Sequence, residues 1–343
     1  SAGAINAVYL AGHAGPFRQA VDGLRAEWQQ LTPDRVYSVP TFRFGRSLIR
    51  WTLDMLFRRR TGPPALRGVM DMDPLREFLR ECVKFDAIQR NIEQESLRAI
   101  ALSATCYGTG QTVTFVQGAG DVPTWQRHMR VAVRTPLTID HLMASVAIPI
   151  IFPAVRVGDA FYGDGSVRQT APLAPAIHLG ARRILAIAMR TGRASETCSV
   201  EEQREYPVAA EVLGTLLHSV FLDSLDADAE RLLRINQLLE QVPSDARPTG
   251  NQLKPVGLRL VRPSRDVGAL ARSYAPRLPR LVRLLLRSLG GERARASDFL
   301  SYMMFQPEYT KVLMELGYED TRAHWGELES FLAGTRQGVK GEE

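Results

Sequence analysis

The spacing of apolar and polar positions divides the chain into helical and extended stretches. Ala2–Ala11 is a short apolar run that predicts a helix, closed by Gly12-His13-Ala14-Gly15. Phe17, Val21, Leu24, Trp28 and Leu31 recur at helical spacing, and Pro33 is expected to stop that second helix. Residues 41–60 are basic and amphipathic, with Phe42, Phe44, Leu48, Trp51, Met55 and Phe57 set among arginines. A further helix is predicted over 74–85, with Asp71 and Asp73 near its start. The period then changes. Residues 97–105 and 111–117 predict two paired strands joined at Gly108-Thr109-Gly110, the first central because it is largely apolar. Thr138 is placed to cap a helix through His141, Met143 and Val146, which an extended apolar segment, 148–153, brings to an end. Gly158-Asp159 predicts the tip of a hairpin between 155–157 and 160–162.

Downstream, residues 172–179 predict a short helix with Gly180 as its stop, and 183–189 a buried strand with Ile-Leu-Ala-Ile-Ala at its centre. A polar loop over 191–207, helices over 208–242, a strand over 256–261 and helices from Val267 onward complete the pattern. Strands alternating with helices predict an α/β fold with a largely parallel sheet. With 343 residues the chain can bury a large core in one large or two modest domains. No run of apolar residues reaches membrane-spanning length.

Charge narrows the function classes. The formal net charge of +6 suits a protein that meets anionic surfaces, phospholipid headgroups among them. Nucleic acid is not expected as a partner, because neither zinc-finger spacing nor an aromatic RNA-binding signature is present. The 41–60 stretch has two readings: a helix lying on an anionic bilayer, or one packing its apolar face on the sheet while its arginines reach solvent. For the second basic stripe, around Arg280, Arg283 and Arg287, packing is preferred. Cys82, Cys106 and Cys198 have neither metal nor disulfide spacing, so a reducing, cytoplasmic setting is the default.

Two segments carry chemistry. Ser1-Ala2-Gly3-Ala4-Ile5-Asn6-Ala7 reads as the second half of a nucleophile elbow, the G-x-S-x-G turn that exposes a serine between a strand and a helix. Small residues beside the serine let that helix pass close to the strand. Far downstream, Tyr162-Gly163-Asp164-Gly165-Ser166 holds an aspartate between two glycines. Taken alone, Ser1 also suits a helix N-cap, and Asp164 a turn bonding its own backbone. A triad in the order Ser, Asp, His would recruit His178, but that residue sits inside an apolar helix, where packing is the better reading. An N-terminal nucleophile using the α-amine of Ser1 as its base leaves the Asp164 turn unexplained.

Together, Ser1 to Ala7 and Gly163-Asp164-Gly165 resemble the patatin-like phospholipases. The likeness continues through ASVAIPIIFPAV (144–155) and HLGARRILAI (178–187). Arg262-Pro263-Ser264, Ser301 to Phe305 and Leu316-Gly317-Tyr318 are similar to the C-terminal region of bacterial members. The resemblance implies a three-layer α/β fold, with a largely parallel central sheet flanked by helices and a helical C-terminal region. Residues 1–192 would form the catalytic domain, lacking its first strand and oxyanion loop, and 193–343 a mostly helical region packed on it.

It further implies acyl-ester hydrolysis on lipids by a Ser–Asp dyad, with Ser1 as nucleophile, Asp164 as general base, Gly3, Gly163 and Gly165 as motif glycines, and no cofactor. Activity would then fall on acidification, as the carboxylate protonates. The family's glycine-rich oxyanion loop and elbow strand precede the serine, so the chain is expected to be a fragment whose remaining oxyanion donor is the backbone N–H of Ala2. Losing one such donor costs about 10²–10³ in turnover. A lipid-binding or regulatory protein that keeps the fold without the chemistry is the alternative.

Overall fold

The computed structural model describes residues 2–38, 68, 70–149, 151–189, 191, 223–243, 254–278, 283 and 297–334. Ser1, the 41–60 stretch and most of the second basic stripe lie outside them. The chain divides into two compact units. The first runs to Gln169 and takes in Leu278 and Phe305–Pro307; the second spans Thr170–Arg277, with later residues up to Met304 and from Glu308 onward.

The first unit opens with helices α1 (Ala2–Ala11), α2 (Phe17–Gln30) and α3 (Pro33–Val36). Pro33 follows α2 as expected but also starts α3, where its missing N–H is not needed. Buried Asn91 closes α1 from a distance: its Nδ2 donates to the carbonyls of Ala11 at 2.8 Å and His13 at 2.9 Å. The Ala11 carbonyl is among those that a helix end leaves unpaired, and His13 lies in the turn that follows. The predicted 74–85 helix is α4 (Asp73–Cys82), and a second helix follows it, α5 (Phe85–Glu93), which buries Ile88 and Ile92.

Six strands form one mixed sheet: β1 (Ala99–Cys106), β2 (Thr112–Gly118), β3 (Gln126–Arg127), β4 (Arg130–Arg134), β5 (Val155–Val157) and β6 (Ala160–Asp164), in the order β3-β4-β2-β1-β6-β5. β1 is interior, as its apolar sequence predicts. The sheet is not largely parallel: only β2 and β4 run parallel, and the other four pairings are antiparallel. The cause is local. The turns at 107–111 and 158–159 are too short for a crossover, so each returns its strand antiparallel. Helix α6 (Ile139–Val146) lies against β1, β5, β6 and α1. It buries Leu142, Met143 and Ala144 completely or nearly so, each large side chain contributing about 1.5–3 kcal/mol. After α6 the chain turns rather than extending, with Phe152 N–H donating to the Ile148 carbonyl at 2.9 Å.

In the second unit, α7 (Ala174–His178) precedes β7 (Arg183–Ile187), which pairs parallel with β8 (Gly257–Val261) in a two-stranded sheet. One face packs Ile184 with Leu173, Ala229, Leu232 and Val256. β7 is not buried on both faces: Leu185 and Ile187 are exposed, the latter by 75%. The remaining helices are α8 (Asp223–Gln241), α9 (Val267–Arg272), α10 (Ser297–Met303), α11 (Pro307–Ala323) and α12 (Trp325–Ala333). The C-terminal part is thus helical, as expected.

Candidate active site

Asp164 is the last residue of β6 and only 1% exposed. It stands opposite Ala104 of β1, and three contacts fix it. Its N–H donates to the Ala147 carbonyl, just past α6, at 2.8 Å. Its carbonyl accepts from Thr105 Oγ1 at 2.9 Å. Its Oδ1 accepts from the Ser166 N–H at 2.8 Å, where the chain enters a tight turn over Gly165–Val167. Backbone and carboxylate are therefore anchored separately, which limits the rotamers open to the side chain.

The two flanking glycines are required by close approach. A Cβ on Gly165 would come within 2.7 Å of the Ser103 carbonyl carbon, and one on Gly163 within 2.7 Å of Tyr107 Cζ. Neither gap takes a side chain unless its neighbour moves. Half-exposed Tyr107 thus rests its phenol against the residue before Asp164. Burial, and then the charge of Asp164, raise its pKa above the usual 10.0.

Alternation along the strands sorts the neighbourhood. Ile100, Leu102 and Ala104 of β1 share a face with Tyr162 and Asp164 of β6. Phe115 of β2 joins that face, with its ring 5.5 Å from Tyr162 and 4.5 Å from His141 of α6. Helix α6 touches the turn after Asp164 and also α1, while β1 touches both α1 and that turn. The helix that begins at Ala2 and the turn that holds Asp164 therefore share two neighbours.

Ala2 is the first residue of α1, where backbone N–H groups have no partner within the helix, and both Ala2 and Gly3 are exposed. Ser1 lies immediately before it in sequence, outside the described residues. His141 is committed to structure: its Nδ1 accepts from the Thr138 N–H at 3.1 Å in a capping box. Burial lowers its pKa below the ordinary 6.5, with the Asp140 charge opposing in part. His178 ends α7 and belongs to the second unit. Among the described residues no group of three His, Cys, Asp or Glu could hold a metal ion, and no helix is long and apolar enough to cross a membrane.

Ser103, Thr105 and Tyr107 have no motif of their own, unlike Ala147, which falls within the 144–155 segment. Their signal is the two-residue spacing of 103, 105 and 107 on a strand whose register is visible only once folded.

The sequence model of the patatin-like phospholipases matches residues 1–177, just over half of the 343-residue chain and both chemical segments within it. The chain belongs to the patatin-like phospholipase family. Patatin-like membership supports a lipid hydrolase, with a lipid as its substrate. It also accords with the α/β architecture of a six-stranded mixed sheet flanked by helices. No curated protein and no solved structure matches the chain.

Proposed function

We propose that this patatin-like protein is a phospholipase A- or esterase-type acyl hydrolase working through a Ser1–Asp164 dyad. Asp164 takes the Ser1 hydroxyl proton as Oγ attacks the ester carbonyl. The oxyanion forms at the N-terminus of α1, where the Ala2 N–H is one donor. The proton passes to the departing alcohol, leaving an acyl-serine. The same carboxylate then takes a proton from water, and hydrolysis frees the fatty acid and Ser1.

The observation that carries this reading is the support of Asp164: a buried aspartate between two closely packed glycines, its backbone held at two points and its carboxylate at a third. The bond from the Ser166 N–H would also suit an aspartate that only shaped its turn, but such a residue can sit at the surface, whereas Asp164 is 1% exposed. Residues 1–192 are taken as the catalytic part and 193–343 as a mostly helical region. The 41–60 stretch is assigned peripheral contact with an anionic lipid surface on the cytoplasmic side.

Hydrolysis of p-nitrophenyl esters and phospholipid vesicles by wild type, Ser1→Ala, Asp164→Asn and His178→Ala tests the dyad. Ser1→Ala and Asp164→Asn should lose roughly 10²–10⁴ in turnover, and His178→Ala little. Turnover that survives Asp164→Asn but not His178→Ala would overturn the dyad assignment. Vesicle binding without hydrolysis by wild type would favour the lipid-binding alternative.

A further inference from the structure

One face of the end of β1 follows the Gly-Asp-Gly turn residue by residue. Ser103, Thr105 and Tyr107 recur at the two-residue period of a strand. The Ser103 carbonyl lies against Gly165, the Thr105 hydroxyl bonds the Asp164 carbonyl, and the Tyr107 phenol lies against Gly163. In register Thr105 stands opposite Gly163, on the side of the sheet away from the Asp164 side chain. The bond is buried: Thr105 is 3% and Asp164 1% exposed. It also forms where the ladder stops, since β6 meets β1 over only three residue pairs and the Asp164 N–H is given to Ala147.

We propose that Thr105 is a positioning residue for ester hydrolysis: its hydroxyl anchors the Asp164 carbonyl at the end of the sheet and so sets where the carboxylate lies on the opposite face. This rests on the assignment of Asp164 as general base. The hydroxyl does not touch the reacting atoms. Its effect comes from holding the peptide that carries the base, where a displacement of about 1 Å is enough to cost two orders of magnitude in rate. Ser103 and Tyr107 act on the flanking glycines by contact, whereas Thr105 makes a directional bond.

The test compares Thr105→Val, which keeps the shape and removes the bond, with Thr105→Ser, which keeps the hydroxyl. Turnover of a p-nitrophenyl ester is measured on protein shown to be folded by its thermal melt, with Asp164→Asn alongside. The expected result is a fall in kcat of about ten- to hundredfold for Thr105→Val, with KM within about twofold of wild type and most of the rate kept by Thr105→Ser. If Thr105→Val fails to fold, Thr105→Ala against Thr105→Ser gives the same contrast. Wild-type kcat in Thr105→Val, or equal losses in the valine and serine variants, overturns the proposal. An active Asp164→Asn enzyme would overturn the base assignment and this proposal with it. An inactive Asp164→Asn beside a fully active Thr105→Val would overturn this proposal alone.

Discussion

The obstructions beside Gly163 and Gly165 differ in kind. Gly165 faces the backbone of β1, which cannot yield, whereas Gly163 faces the end of the Tyr107 ring, which can turn away. Gly165→Ala should therefore destabilise the protein by about 1–3 kcal/mol and abolish hydrolysis. Gly163→Ala should be milder, and adding Tyr107→Ala should restore most of what it loses. Urea denaturation and ester turnover of the three variants check this; an equally impaired double variant would show that Tyr107 is not the obstruction. At this scale the Gly-Asp-Gly motif was legible because glycine, aspartate and hairpin spacing are local signals. Thr105 and Ala147 were not, because their link to Asp164 depends on a cross-strand register and a helix end that no local pattern encodes.

Among the elements, α6 ties its own stability to pH. His141 serves as the N3 acceptor of the capping box while buried against Phe115, and its pKa lies below 6.5. Above that value the imidazole is neutral in the folded and unfolded states alike and contributes no pH dependence. Below it, the unfolded chain binds a proton that the native site resists, so stability is lost as pH falls until the lowered native pKa is passed. His141→Gln keeps a capping acceptor and removes the titration. It should lose less stability than wild type between about pH 7 and pH 5, read from urea midpoints; an identical loss would assign the effect to other groups. The helix itself was legible from Thr138 and its apolar period. Helix α5 was missed because the pattern was closed at Phe85, although Phe85, Ile88 and Ile92 continue at helical spacing after the break at Val83-Lys84. The two faces of β7 were misread because an apolar run does not tell how many neighbours a strand has.

Over the whole molecule the α/β class was legible and the strand directions were not: counting alternating elements suggested parallel strands, while the two short turns, each recognised locally, required antiparallel ones. The net charge of +6 acts at this scale too. If it draws the protein to anionic lipid, hydrolysis of anionic vesicles should fall several-fold between about 0.05 and 0.5 M salt, while p-nitrophenyl ester hydrolysis changes little. Equal salt responses for both substrates would remove surface charge from the account. The hairpin tip at Gly158-Asp159 has a wider consequence. It sets the phase of β6, and in a strand every shift by one residue turns a side chain to the other side. Gly158 itself is held to a left-handed backbone, and under the proposed dyad a one-residue slip of β6 would turn the Asp164 carboxylate to the far side of the sheet, together with every other side chain of the strand.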